Sequence, residues 1–228
     1  MYHGKEIAND QVAEICERIW LSIARKQLRP GARLKEEELA EIFDVSRTRV
    51  RQALSVLERD GLLTILPNRG AFVSEPTVNE AREVFRVRRF VEGRVIERLI
   101  EQITDADFPL LEAHLEEEKA AIARGDNSAA VRLLGGFHLL LGELCGSAFL
   151  YGILRDVVSR STLIMAMYRG QHEHNCGPED HERLIRVIRA RRAGPALAAM
   201  REHLDHVEAE LDLTEEMPVV RDLREALI

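Results

Sequence analysis

Two sets of residues in this 228-residue chain have types and spacings that could do chemistry. The first is Ser46-Arg47-Thr48-Arg49, with Arg51 close behind. It follows the turn Asp44-Val45 and opens a stretch where Val50, Ala53, Leu54 and Leu57 recur at helical spacing, so Ser46 falls at the N-cap. Cations at a helix N-terminus oppose the macrodipole, at a cost of about 0.3–1 kcal/mol each. A helix that only packs gains nothing from them. A helix that enters the major groove of DNA does, because Arg pairs bidentately with guanine O6 and N7 while the first amides meet phosphate. The second set is His138, His181 and His203. His138 lies between Phe137 and Leu139 in an apolar segment, so its ring needs a partner if buried. His181 falls roughly 16 Å before the Gly194-Pro195 turn and His203 roughly 12 Å after it, so two antiparallel helices would carry them at similar depth. One such histidine is ordinarily a satisfied core residue; three together hint at a metal site.

The elements that must position these groups follow from pattern. Asp10 can cap a helix running to about Leu28, with Val12, Ile15, Ile19 and Ile23 on one stripe, and Pro30-Gly31 stops it. Glu36 to Phe43 forms a short helix, and the arginine-bearing helix runs from Arg47 to about Asp60, ending at Gly61. Leu62 to Leu66 reads as a strand, Pro67-Asn68-Arg69-Gly70 as a turn and Ala71-Phe72-Val73 as a return strand. Three helices and a β-hairpin make a winged helix-turn-helix over residues 1–76. Beyond Pro76, helical patterns follow at about 78–102, 105–124, 127–145, 148–168, 179–192 and 195–213, so residues 77–228 form an antiparallel all-α bundle. The fold class is mainly α.

Composition narrows the function. Hydrophobic residues make up 46% and charged residues 31%, which excludes disorder. The apolar runs are too short to span a bilayer, the N-terminus lacks a signal-like apolar stretch, and three scattered cysteines suit a reducing cytoplasm. The net charge of −7 is unevenly distributed. Residues 1–76 hold 12 Lys/Arg against 12 Asp/Glu, and residues 77–228 hold 20 against 27. A neutral N-terminal unit with local arginine clusters beside an acidic remainder suits one domain that touches phosphates and one that does not.

The run Leu34-Lys35-Glu36-Glu37-Glu38-Leu39-Ala40-Glu41, then Val45 to Leu54, Leu57-Glu58-Arg59-Asp60-Gly61-Leu62 and Asn68-Arg69-Gly70-Ala71-Phe72-Val73 closely resembles the GntR superfamily of bacterial transcription regulators. The resemblance implies that Arg47 and Arg51 contact a double-stranded operator in the major groove, with Ser46 and Thr48 assisting. Asn68, Arg69 and Gly70 would form the wing tip at the minor groove. Arg49 and Gln52 stand where the family often carries Pro and Glu, and the extra cation should raise phosphate affinity.

In the second domain, Arg88-Arg89-Phe90-Val91-Glu92, Phe137-His138, Asp180-His181-Glu182-Arg183 and Met200-Arg201-Glu202-His203-Leu204 are similar to the effector domain of the FadR-like subfamily. Many such domains hold a metal with one Asp and three His, the Asp four residues before the first His. That position is Leu134 here. Three histidines, with water or an effector oxygen in the fourth place, still suit Zn²⁺ or a similar divalent transition metal, though the missing carboxylate should weaken the site and leave it more positive. Arg88 reads either as an i,i+4 partner of Glu92 or, with Arg89, as a fork for an effector carboxylate. His172, His174 and Cys176 read as loop polarity. The expectation is a cytoplasmic, homodimeric regulator that answers to a small carboxylic acid and has no membrane partner. The alternatives are an acyl-CoA-responsive regulator without metal and a metal-dependent hydrolase fused to a DNA-binding domain. No paired general base and nucleophile at suitable spacing supports the hydrolase.

Overall fold

The computed structural model describes residues 10–169 and 177–213. The sequence reading of His172, His174 and Cys176, and of the segment after Pro218, lies outside the described residues. The first domain runs α1 (Asp10–Ala24), β1 (Arg33–Leu34), α2 (Glu36–Phe43), α3 (Arg47–Arg59), β2 (Leu63–Leu66) and β3 (Gly70–Val73). The second is helical: α4 (Val78–Gln102), α5 (Phe108–Ala123), α6 (Asn127–Leu144), α7 (Ala148–Tyr168), α8 (Pro178–Arg189) and α9 (Ala193–Ala209). No helix among the described residues is long and apolar enough to cross a membrane.

Two features of the first domain differ from the sequence pattern. The first helix ends at Ala24 rather than near Leu28, because Lys26 turns into the left-handed region at φ 61°. The amides of Gln27 and Leu28 both bond to the Ser22 carbonyl, which closes the helix end and buries Leu28 from a turn. The expected hairpin is also a three-stranded antiparallel sheet in the order β1-β3-β2. Arg33 pairs with Phe72 and Leu34 with Ala71. A two-residue strand carries no alternation to read, so β1 left no signal in the sequence.

The domain junction is built to hold. Thr77 caps α4 with a reciprocal capping box: its hydroxyl accepts from the Glu80 amide, and the Glu80 carboxylate accepts from the Thr77 amide. Above that cap, one apolar core crosses between the domains. Ile19, Trp20 and Ile23 of α1 and Val50 and Leu54 of α3 share a cluster with Phe85 of α4 and Leu163, Ile164 and Met167 of α7. The Tyr168 hydroxyl donates to the Pro76 carbonyl at 2.8 Å, tying the end of α7 to the linker. A second core, centred on Ile96, Leu99, Phe137, Leu141 and Leu184, holds the helices of the effector domain together.

Candidate functional site

The first candidate surface is the start of α3. Ser46 is its N-cap, its hydroxyl accepting from the Arg49 amide at 3.4 Å, and the first turn carries no acid. Val50, Ala53, Leu54 and Leu57 face the core, which leaves Arg47, Thr48 and Arg51 exposed and Arg49 half-buried. The two exposed arginines are not idle. Arg47 reaches Glu37 at 3.0 Å and Glu36 at 3.3 Å, and Arg51 reaches Glu36 at 2.8 Å. The acidic first turn of α2, unremarked in the sequence reading, therefore holds both cations in place. At the hairpin, Pro67 and Asn68 fill the centre of a turn closed by the Arg69 amide on the Leu66 carbonyl, with Asn68 at φ 60° and Gly70 at φ 95°. Asn68, Arg69 and Gly70 are exposed at its tip.

The second site is internal. His138 on α6, His181 on α8 and His203 on α9 are all buried, and one ligand atom from each lies within 4.8 Å of the others. Each imidazole turns its Nδ1 to a carboxylate. Glu92 of α4 takes His138 at 2.5 Å, Glu118 of α5 takes His181 at 2.9 Å and Asp180 of α8 takes His203 at 3.2 Å. Ionised carboxylates only accept, so each Nδ1 carries the proton and each Nε2 keeps a lone pair. The Nε2 atoms of His138 and His203 stand 3.3 Å apart, and His181 Nε2 is buried without a hydrogen-bond partner. Three lone pairs converging in a buried site repel one another unless a proton donor or a cation sits between them. This donor set fits a divalent transition metal, with carboxylates behind the histidines as metal sites commonly have.

Charge supports the same tautomers. Burial alone would raise the Glu92 carboxyl, but His138 and Arg88 outweigh it and hold it at about 2. Burial pushes the His138 imidazole down to about 3 against the pull of Glu92, and the His203 imidazole to about 4 against its hydrogen bond to Asp180. Asp180 is lowered by its bonds to His203 and His206, and Glu118 by His114 and His181 against its own burial. The His138 and His203 imidazoles are therefore neutral at pH 7 and ready to ligate.

A cavity of about 550 Å³ opens beside the three histidines. Arg88 lines it and is only 2% exposed. Its Nε donates to Glu92 at 2.5 Å and its Nη1 to the Ser161 hydroxyl at 3.0 Å. The ion-pair reading of Arg88 is the one seen here: it pairs with Glu92, and through Glu92 it joins His138. Arg89 is placed elsewhere. It bonds Asp205 at 2.7 Å and pairs with Glu208 on α9, outside the cavity lining. Leu134 also lines the cavity, against Gly177, where a Cβ would come within 2.7 Å of its Cδ2. The extra positive charge expected from Leu134 is offset, because Glu92, Glu118 and Asp180 each lie one hydrogen bond behind a histidine. The sequence reading took Glu92 only as an ion-pair partner and passed over Glu118, whose nearest signal was its place four residues after His114 on an amphipathic helix.

The chain matches two known families, the gntR family of bacterial regulatory proteins over residues 11–73 and the FCD domain over residues 83–206. Among curated proteins, it is 28% identical over 180 residues to the HTH-type transcriptional regulator YdhC of Bacillus subtilis (strain 168), covering 78% of this chain and 80% of that one. It is 27% identical over 203 residues to the HTH-type transcriptional repressor RspR of Escherichia coli (strain K12), covering 87% and 86%. Among solved structures, E. coli McbR/YncC shares the fold with a TM-score of 0.74 at 21% identity, over 88% of this chain and 96% of that one. These relatives are regulators rather than enzymes, which sets the hydrolase reading aside. The winged helix, the FCD match over more than half the chain and the helical effector domain place this protein in the GntR family of bacterial transcription regulators, within its FadR-like subfamily.

Proposed function

We propose that this protein is a cytoplasmic, homodimeric regulator whose affinity for a two-fold operator is set by a small organic acid bound at a three-histidine metal centre. One observation carries the reading: three Nε2 atoms backed by three carboxylates converge on the wall of a cavity. His138, His181 and His203 would hold the ion, which supplies a Lewis-acidic position for a carboxylate oxygen. Arg88 would orient that carboxylate, while Leu134 keeps one wall apolar. A metal-free acyl-CoA site makes no use of the converging imidazoles.

The route to the DNA-binding domain is α7. Ser161, Thr162 and Met165 face the cavity, while Arg155 and Arg160 on the same helix meet the end of α3. Arg155 lies 3.8 Å from buried Asp60, and a Cβ on Gly61 would fall 2.4 Å from the Arg160 guanidinium carbon. A shift of α7 on acid binding would move the recognition helix as a body. This is a population shift between head placements, scaled by the acid's preference for one of them.

Calorimetry on metal-stripped and Zn²⁺-loaded protein tests the centre. Succinate is expected to bind more tightly when Zn²⁺ is present, and Zn²⁺ more tightly by the same factor when succinate is present. Leu134→Asp is expected to tighten the metal and weaken the acid, because the new carboxylate competes for the open position. Equal succinate affinity with and without metal would overturn this reading.

Dimerisation would use the outer surfaces of α4 and α7. Phe90 of α4 and Phe149 of α7 are each 81% exposed, with Val87 and Ile153 on the same helices. Large exposed aromatics on adjacent helices mark an interface, and a second copy gives the two recognition helices that a two-fold operator needs. Phe90→Glu with Phe149→Glu is expected to give a folded monomer in sedimentation equilibrium. A dimer of unchanged affinity would move the interface elsewhere.

A further inference from the structure

The effector domain does not enclose the cavity alone. Ala24, Arg25 and Lys26, which end α1 and begin its turn, also line it, and they belong to the winged-helix domain. Lys26 sits at φ 61°, a left-handed conformation that a side chain with a Cβ adopts only at a cost. In that position its ammonium donates to the Arg169 carbonyl at 2.5 Å. Arg169 follows directly on α7, lines the same cavity and pairs with Glu210. A carbonyl is a neutral acceptor, so this contact does not itself balance the ammonium charge; among the described lining residues the acid is Asp126. Burial first, then the like charge of Arg169, lowers the Lys26 pKa.

The cavity therefore has two cationic stations. One is the histidine centre with Arg88, marked on α7 by Ser161. The other is Lys26 with Arg169, eight residues further along, or about 12 Å in helical rise. A single carboxylate can satisfy only one of them. We propose that the ligand is an acid with two anionic groups, one at the three-imidazole centre and the other on Lys26 beside Arg169, so that it ties the winged-helix domain to the effector domain. This deepens the organic-acid reading above and rests on it. It also gives the acid a direct grip on the DNA-binding domain, in addition to any motion of α7.

The test compares straight-chain diacids from malonate to suberate with the monoacids of equal carbon number, on full-length Zn²⁺-loaded protein. At least one diacid is expected to bind about tenfold or more tighter than its matched monoacid, the scale of one charge-assisted contact. Lys26→Met keeps the length of the stem and removes the charge together with the hydrogen bond to the Arg169 carbonyl, which Lys26→Arg can restore. It is expected to erase the diacid advantage while leaving monoacid affinity and metal content unchanged, and Lys26→Arg is expected to restore the advantage. In the same variants, the diacid should change the affinity for a wild-type-selected DNA duplex only where position 26 is cationic. If monoacids and diacids bind equally but both need metal, the two-station proposal is overturned and the metal–acid reading stands. If Lys26→Met keeps the full diacid advantage, the second station is not Lys26 and the proposal falls. If no acid binds in a metal-dependent way, both readings fall together.

Discussion

His181→Ala is expected to lower Zn²⁺ affinity by about 100-fold or more, the largest single effect on the effector domain. Among the described residues, His181 Nε2 is buried without a hydrogen-bond partner, so it is free to ligate. Removing one of three imidazoles leaves two ligands, too few to hold the ion against water. The carboxylates behind the histidines should matter nearly as much, at about 10- to 100-fold in metal affinity. Glu92 and Glu118 test that claim differently. Glu92→Gln also strips the countercharge from buried Arg88, and breaking such a pair costs about 3–5 kcal/mol in stability. A fall in metal affinity there is confounded with loss of fold. Glu118→Gln is the cleaner variant, because its partners are His114 and His181 and no arginine depends on it. Competition with a chromophoric chelator, with far-ultraviolet circular dichroism as the folding check, reads both. If His181→Ala and Glu118→Gln keep wild-type Zn²⁺ affinity, the ion is held elsewhere.

What could be read from sequence divides along a physical line. The helices of both domains were legible because their apolar stripes recur with a period a window can detect, as in Val50, Ala53, Leu54 and Leu57. Helix ends without strong punctuation were less so: α5 begins at Phe108 rather than 105, because Thr104 and Asp107 first close a turn on each other. The three histidines could be singled out because His138 is a titratable ring in an apolar run, and His181 and His203 fall at matched depth on either side of the Gly194-Pro195 turn. Their carboxylates could not. Apart from its place four residues after His114, Glu118 carries little in sequence to distinguish it from Glu116 and Glu117, and the packing of α5 on α8 selects it for His181. Lys26 is hidden for the same reason. Its part in the cavity depends on how two domains meet, through a core that joins α1 to α7, and no local pattern encodes that.

The second large effect is expected at the operator. Arg47→Ala and Arg51→Ala should each weaken specific binding by about 1–3 kcal/mol, the loss of one bidentate base contact. Arg69→Ala at the wing should weaken binding less, with little dependence on sequence. The free protein complicates the arithmetic, because Glu36 and Glu37 already hold both recognition arginines. Those pairs are exposed, with Arg47 and Arg51 more than half accessible, and exposed pairs contribute only about 0–1 kcal/mol. DNA contacts on the 1–3 kcal/mol scale therefore win, and the glutamates act as a modest toll and a guide to arginine geometry. Glu36→Gln separates the two roles. It should raise affinity for any duplex, since Arg51 is released toward phosphate and Arg47 keeps only Glu37, while lowering the ratio of specific to non-specific binding, since the arginines are less well aimed. Titrations at several salt concentrations, against a duplex selected from a random pool by the wild-type protein and against a scrambled one, measure both quantities. Unchanged affinity in Arg47→Ala and Arg51→Ala would remove α3 from the groove. An unchanged specificity ratio in Glu36→Gln would mean that the acidic turn of α2 only screens the arginines and does not aim them.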